Sequence, residues 1–215
     1  MATDLIEIDV EKPSMRAVER AAAVIRRGGV VAIPTDALYA LVCDPLNLHA
    51  VGGVFAAKGR HSERALPFLV SDVVMAEELA KEISTRFYLL ARHFWPGPLT
   101  IIVPASSKVP LKVTGNTGRL AMRQAKSKLA TALLERLSQP LIATSANLSG
   151  QPTLTSGIEV FGVMDGRVDL VLDGGPVTGV GATTVDVTDP YWRVIKEGAI
   201  LEKDLAEVLK TPDAP

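Results

Sequence analysis

The opening 34 residues restrict the fold more than any other feature of the chain. Leu5 to Val10 alternates apolar and acidic side chains, the period of a half-buried strand. Ser14 stands at a helix cap position ahead of the alanine-rich, helically spaced run from Met15 to Arg27, and Gly28-Gly29 stops that run. The apolar segment 30 to 34 follows as a buried strand. A strand, a helix and a second strand in so short a span predict an α/β domain, since a helix so placed buries its apolar stripe on the sheet beside it.

The alternation continues. The sequence predicts a loop over "PTDALYAL" (34 to 41), then a helix running to about Lys58; a strand at "LPFLV" and a helix from Ser71; and a helix from about Ser84, stopped by the prolines and glycine of "HFWPGP". Strands follow at "LTIIVP" and "RLAMR", a helix at "SKLATALLERL", a strand at "LIAT", a short helix near 156 to 163, and strands at "VDLVLD", "TTVDV" and "WRVIK". A last helix begins at about Glu202. The expected architecture is a twisted sheet covered by helices, built as a single domain over 1 to 215.

Composition narrows the function. A hydrophobic fraction of 47% excludes disorder over the whole chain, and a net charge of -1 gives no general attraction to nucleic acid or anionic membranes. A bound polyanion must therefore be held by a local site. Cys43 has no partner for an internal disulfide, and His49, His61 and His93 have no ligand spacing around it, so no protein metal site is expected. An acidic amino terminus and no apolar run near the ~20 residues of a membrane span make the expected location the cytoplasm.

Four segments combine special backbone chemistry with polar groups: "PTDALYAL", "KGR" at 58 to 60, "TSANLSG", and the glycine-rich "DGGPVTGVGATT". Lys58 and Arg60 follow a helix and flank a glycine, so both heads can meet one anion. No Walker lysine and no G-x-G-x-x-G pattern accompanies the glycine-rich run, which by its composition reads as a loop rather than a phosphate cradle. Ser145 and Ser149 lack a nucleophile elbow, His93 beside Phe94 and Trp95 reads as packing or solvent-facing, and Cys43 reads as a small core residue. Taken alone, "ATSANLSG" reads as turn and cap chemistry.

Taken together and in order, "GGVVAIPTDALYAL", "KGR", "WPGPLTIIV", "LAMR", "LIATSANLSGQP" and "VDLVLDGG…TTVDVT…KEGAI" resemble the YrdC-domain family of threonylcarbamoyl-AMP synthases over about residues 14 to 200, leaving 201 to 215 as a terminal helix and tail. The family signature, K-x-R with S-x-N, is intact as Lys58, Arg60, Ser145 and Asn147. The resemblance implies an open, twisted mixed sheet around a concave, positively lined cavity. It implies a reaction in which L-threonine, bicarbonate and ATP, with Mg2+ on the triphosphate, give threonylcarbamoyl-adenylate and pyrophosphate. The adenylate would pass to transferase proteins that modify tRNA, with at most a weak direct contact to tRNA or double-stranded RNA. Carried over, Lys58 and Arg60 are catalytic and bind ATP together with Ser145, Asn147 and Lys196, while Thr35, Arg123 and Thr183 serve threonine.

Several positions depart from the family pattern. Ala37 and Ala40 stand for a threonine and a glycine, Gln124-Ala125 follows Arg123 where Val-Pro is usual, Ala182 stands for a serine with Thr183 beside it, and Lys196 stands for an arginine. "HSERALPFLV" lacks a proline after Arg60 and a polar residue before Pro67. Nucleotide and anion handling are thus better preserved than threonine recognition, and the alternative is a divergent relative that binds nucleotide or RNA without efficient synthesis.

Overall fold

The computed structural model describes residues 2–61 and 64–210; the end of the tail and two residues of "HSER" lie outside them. The expected opening is present: β1 (Asp4–Glu7), α1 (Met15–Arg26) and β2 (Val31–Ile33). The Ser14 hydroxyl accepts from the Ala17 amide at 3.3 Å, satisfying one of the orphan donors of the first turn. At the other end Gly28 takes a left-handed φ of 80°, which lets the Gly28 and Gly29 amides turn back to the carbonyls of Ile25 and Val24.

A strand stands where a loop and helix are expected. Residues Ala40–Cys43 form β3, and α2 is confined to Leu48–Lys58, started by Asn47, whose side chain accepts from the His49 and Ala50 amides. All four residues of β3 are buried, so the segment reads as a plain apolar run with no period of two, and periodicity cannot separate it from helix.

The chain continues through β4 (Phe68–Leu69), α3 (Val73–Leu79), α4 (Thr85–Phe94), β5 (Leu99–Pro104), a 3-10 turn at Leu111–Thr114, β6 (Arg119–Arg123), α5 (Lys128–Leu137) and β7 (Leu141–Ser145). It ends with α6 (Gly157–Met164), β8 (Leu170–Asp173), β9 (Thr183–Asp186), β10 (Arg193–Lys196) and α7 (Glu202–Lys210). The ten strands make one mixed sheet ordered β1-β8-β2-β3-β7-β4-β6-β5-β9-β10.

Alternation along each strand divides the side chains between two layers. Ala32, Leu41, Cys43, Phe68, Ile101, Met122 and Ile142 enter one continuous core that runs beneath the length of the sheet and is covered by α2, α4 and α6. Val31, Ile33, Val42, Leu69 and Leu141 face the other way, where α1 and α5 lie together. These two helices cover only the half of that face that runs from β8 to β4. Over β6, β5, β9 and β10 the same face carries Ala121, Arg123, Thr100, Ile102, Thr184 and Lys196, and they line a cavity instead of a helix.

Cys43 sits in the larger core with no exposed surface, and burial, aided by the Asp44 charge, pushes its thiol up to about 12. Thiol reagents at pH 8 should therefore leave the native protein unlabelled and label one site per chain once it unfolds, which mass spectrometry after a timed pulse measures. Rapid native labelling would mean that β3 opens locally.

Candidate functional site

The cavity holds about 540 Å³ and is walled by the turn from Thr35 to Ala40, by Arg60, Arg64, Ala65 and Pro67 to Leu69, by the ends of β5, β6 and β7, and by Gly181, Ala182 and Thr184 with Ile195 and Lys196. Its charged lining is Arg60, Arg64, Arg123 and Lys196, with no carboxylate among them. Four cations facing one hollow in a chain of net charge -1 concentrate positive potential there.

Gly59 decides how the K-G-R segment divides. It caps α2 in the left-handed region at φ 58°, and the turn sends Lys58 and Arg60 to different places. Lys58 is 3% exposed and lies beneath the loop after β7 rather than in the cavity wall. Its ammonium donates to the Ser145 carbonyl, to the Asn147 carbonyl at 2.9 Å and to Asn147 Oδ1 at 3.2 Å. Burial, and then the neighbouring Arg60 charge, lower it to about 8. Of the two heads expected to converge on one anion, only Arg60 lines the cavity.

Arg60 reaches the cavity, where Nη1 donates to Thr144 Oγ1 at 3.3 Å and Nη2 to the Ala65 carbonyl at 2.9 Å. Its Nε is buried without a hydrogen-bond partner.

Ser145 and Asn147 are joined by a 2.6 Å bond from Ser145 Oγ to Asn147 Oδ1. Asn147 spends its amide nitrogen on the Leu148 and Gln151 carbonyls at 3.1 and 2.6 Å, so it fixes the turn, and only Ser145 faces the cavity. In "ATSANLSG" the amide thus does turn chemistry, and the serine borders the cavity. On the far wall Thr35 Oγ1 donates to the Leu38 carbonyl at 2.7 Å and accepts from the Ala37 and Leu38 amides at 3.2 Å, closing the turn that carries Ala37 and Ala40 to the cavity. Ala40 pairs in register with Ser145 and is not among the residues with positive φ, so extended β3 accepts alanine there without strain.

Arg123 lines the floor, donating from Nε to the Gly97 carbonyl at 2.9 Å and from Nη2 to Asp36. Lys196, on β10, lines the side of the cavity near Gly181. Thr183 is placed elsewhere: it is fully buried, and its hydroxyl bonds the backbone of Ile200 on the opposite side of the sheet. Thr184 takes its place in the lining, because successive residues of a strand point to opposite faces.

Sequence reading missed Arg64, Thr100, Thr144, Thr184 and Tyr39. The period of two in "TTVD" and "LTII" is the signal that separates Thr184 and Thr100 from their core-facing neighbours. Nothing local marks Arg64. The glycine-rich run is a pinned wall: Tyr39 Oη donates to the Gly175 carbonyl at 2.7 Å and accepts from the Gly174 amide at 3.0 Å, and Thr178 Oγ1 donates to the Ala37 carbonyl at 3.2 Å. His93 packs its edge against Phe94 at 5.1 Å and is not part of the lining.

A second hollow, of about 620 Å³, lies behind Thr35 and Asp36. It mixes Glu11, Asp36 and Glu135 with Lys126 and Lys128. Mixed charge of this kind gives no preference for a polyanion, so the smaller, uniformly cationic cavity is the candidate site.

Comparison with known proteins gives the family. The family model Sua5_yciO_yrdC, described as Telomere recombination, matches residues 23–198, which include every residue named in the cavity. The chain is 36% identical to a threonylcarbamoyl-AMP synthase of Pyrococcus abyssi over 190 residues, 88% of this chain and 56% of that protein. It is 36% identical to one of Coxiella burnetii over 152 residues, 70% of this chain and 81% of that protein. The crystal structure of P. abyssi Sua5 complexed with L-threonine superposes with a TM-score of 0.93 at 34% identity, covering 97% of this chain and 61% of that one. The chain thus spans a little over half the length of the archaeal relative. With the fold, the ordered motifs and the family model in agreement, the chain belongs to the Sua5/YciO/YrdC family.

Proposed function

We propose that this chain forms L-threonylcarbamoyl-adenylate and pyrophosphate from L-threonine, bicarbonate and ATP. The observation that carries the reading is the cavity lined by Arg60, Arg64, Arg123 and Lys196 without a carboxylate, in a fold shared with a protein crystallised with L-threonine. The nitrogen of threonine takes up the carbonate carbon with loss of water. The resulting N-carboxylate oxygen then attacks the α-phosphorus of ATP as the bond to pyrophosphate breaks. Anions meet anions in the second step, so charge neutralisation and alignment supply most of the acceleration and no protein nucleophile is needed.

Arg60 holds phosphate oxygens with the part of its guanidinium that faces the cavity, with Lys196 adding a second charge and Ser145 a short hydroxyl. Arg123 takes the threonine carboxylate. Thr35 shapes the turn beside it, and Thr184 replaces Thr183 as the hydroxyl available to substrate. Lys58 and Asn147 act by holding the Ser145 loop in place. The lining offers no carboxylate to a metal, and no cluster of three or more His, Cys, Asp or Glu is found among the described residues. Magnesium would therefore be bound by the triphosphate and water, as it commonly is in nucleotide sites.

No helix among the described residues is long and apolar enough to cross a membrane. The adenylate would be handed to tRNA-modifying transferase proteins in the cytoplasm, and a net charge of -1 suits a protein that leaves tRNA binding to them.

Incubating the protein with MgATP, L-threonine and bicarbonate should release pyrophosphate only when all three are present, with threonylcarbamoyl-adenylate detected by mass spectrometry. Absence of threonine-dependent release sinks the reading. Tight, salt-sensitive RNA binding without turnover would favour a binding module instead.

A further inference from the structure

Arg123 and Asp36 form an ion pair set into the wall between the two hollows. Their side chains are 11% and 14% exposed. Arg123 lines the cationic cavity, Asp36 lines the hollow behind it, and Thr35 lines both. A pair so placed is a weak source of stability, because the cost of desolvating two charges offsets most of their attraction.

The backbone around it is already held by other bonds. The 35–38 turn is closed by Thr35, Thr178 Oγ1 reaches the Ala37 carbonyl, and the Ala146 amide donates to the Tyr39 carbonyl. On the other partner, β6 is paired to β4 and β5, and the Val70 amide donates to the Arg123 carbonyl. What the ion pair adds is the direction of one guanidinium.

That direction is specific. A guanidinium is a planar fork of five N–H donors with two edges suited to a carboxylate. Here the Nε and Nη2 edge is taken, by the Gly97 carbonyl and by Asp36 respectively. Nη1 has no protein partner among the described residues, and it is not among the buried polar atoms sealed without one. The Nη1 and Nη2 edge is thus left for the cavity.

We infer that Asp36 is a positioning residue for amino-acid recognition: from behind the cavity wall it holds Arg123 edge-on to the substrate carboxylate, and so governs the affinity for threonine without touching either substrate. The inference rests on the synthase reading above. Removing the carboxylate frees the guanidinium to swing, and the rotational freedom must then be lost again each time an amino acid binds.

The test compares wild type, Asp36→Asn and Asp36→Glu in pyrophosphate release, titrating threonine at saturating MgATP and then MgATP at saturating threonine. Asp36→Asn should raise the threonine KM about tenfold or more while the ATP KM stays within about twofold, and Asp36→Glu should lie between it and wild type. A threonine KM within about twofold of wild type in Asp36→Asn overturns the inference. So does an equal rise in both KM values, which would make Asp36 a general support of the wall, and so does a fall in threonine KM, which would make it a competitor for Arg123. If Asp36→Asn does not fold, Asp36→Glu carries the same comparison, since a carboxylate displaced by one methylene re-aims Arg123 and must still raise the threonine KM selectively. Failure of the synthase reading is distinct: wild type itself then shows no threonine-dependent release, and the inference falls with it.

Discussion

Lys58→Ala should lower the melting temperature by roughly 6–12 °C, the equivalent of about 3 kcal/mol in a chain of this size. The ammonium satisfies the carbonyls of Ser145 and Asn147 and the Asn147 amide oxygen at one point beneath the loop. Truncation removes a donor from all three: the Asn147 carbonyl loses the lysine altogether, while the Ser145 carbonyl keeps only the Asn147 amide and Asn147 Oδ1 only the Ser145 hydroxyl, and an unmade buried hydrogen bond costs more than a made one contributes. An unchanged melting temperature would mean that the loop stands without Lys58. The variant should also lose pyrophosphate release, because Lys58 supports the end of β7 that carries Ser145.

The same lysine sets a pH dependence. Its folded value is about 8 against an ordinary 10.5, so between those limits the unfolded chain holds a proton that the folded chain has released. Stability from this group therefore rises with pH across the window and is lost as pH falls through 8. The gap in unfolding free energy between wild type and Lys58→Met, read from urea titrations, should widen from pH 8 to pH 10. A gap that stays flat would place the titration of Lys58 elsewhere.

Arg60→Ala should reduce threonine-dependent pyrophosphate release by about 10²- to 10³-fold, the scale on which preorganised charge stabilisation is lost. Nη1 and Nη2 each make one protein hydrogen bond and each carry a second N–H, so the fork keeps donors for a phosphate oxygen. Stability should change less than in Lys58→Ala, because Arg60 releases only the Thr144 hydroxyl and the Ala65 carbonyl, in a wall that water can reach. Arg60→Lys should recover only a small part of the rate, since an ammonium keeps the charge and loses the fork. A rate for Arg60→Ala within a few-fold of wild type would remove this cavity as the nucleotide site. The neighbouring pair of Lys58 and Arg60 thus separates into two measurements, one mainly of stability and one mainly of turnover.

Where local chemistry decides, the sequence alone was enough. Ser14 and Gly28 bound α1, the prolines after Phe94 end α4, and the ordered motifs place the chain in its family. The cap, the left-handed turn and the imide ring act over a few neighbouring residues, so their outcome is written there. The β3 strand was illegible for the opposite reason: a segment buried on both faces carries no alternation to reveal it.

The roles within the site belong to the tertiary structure. Lys58 and Arg60 are two residues apart, yet the left-handed Gly59 and the loop after β7, 87 residues on from Lys58, put one beneath the wall and one in it. Thr183 and Thr184 are neighbours, and the pleat of β9 gives one to the core and the other to the cavity. Asp36 and Arg123 meet across 87 residues only because β6 and the turn before β3 border the same uncovered half of the sheet. Residue type and order were enough to name the family; which side chains face the cavity depends on burial and on contacts between strands distant in sequence, and no local pattern encodes them.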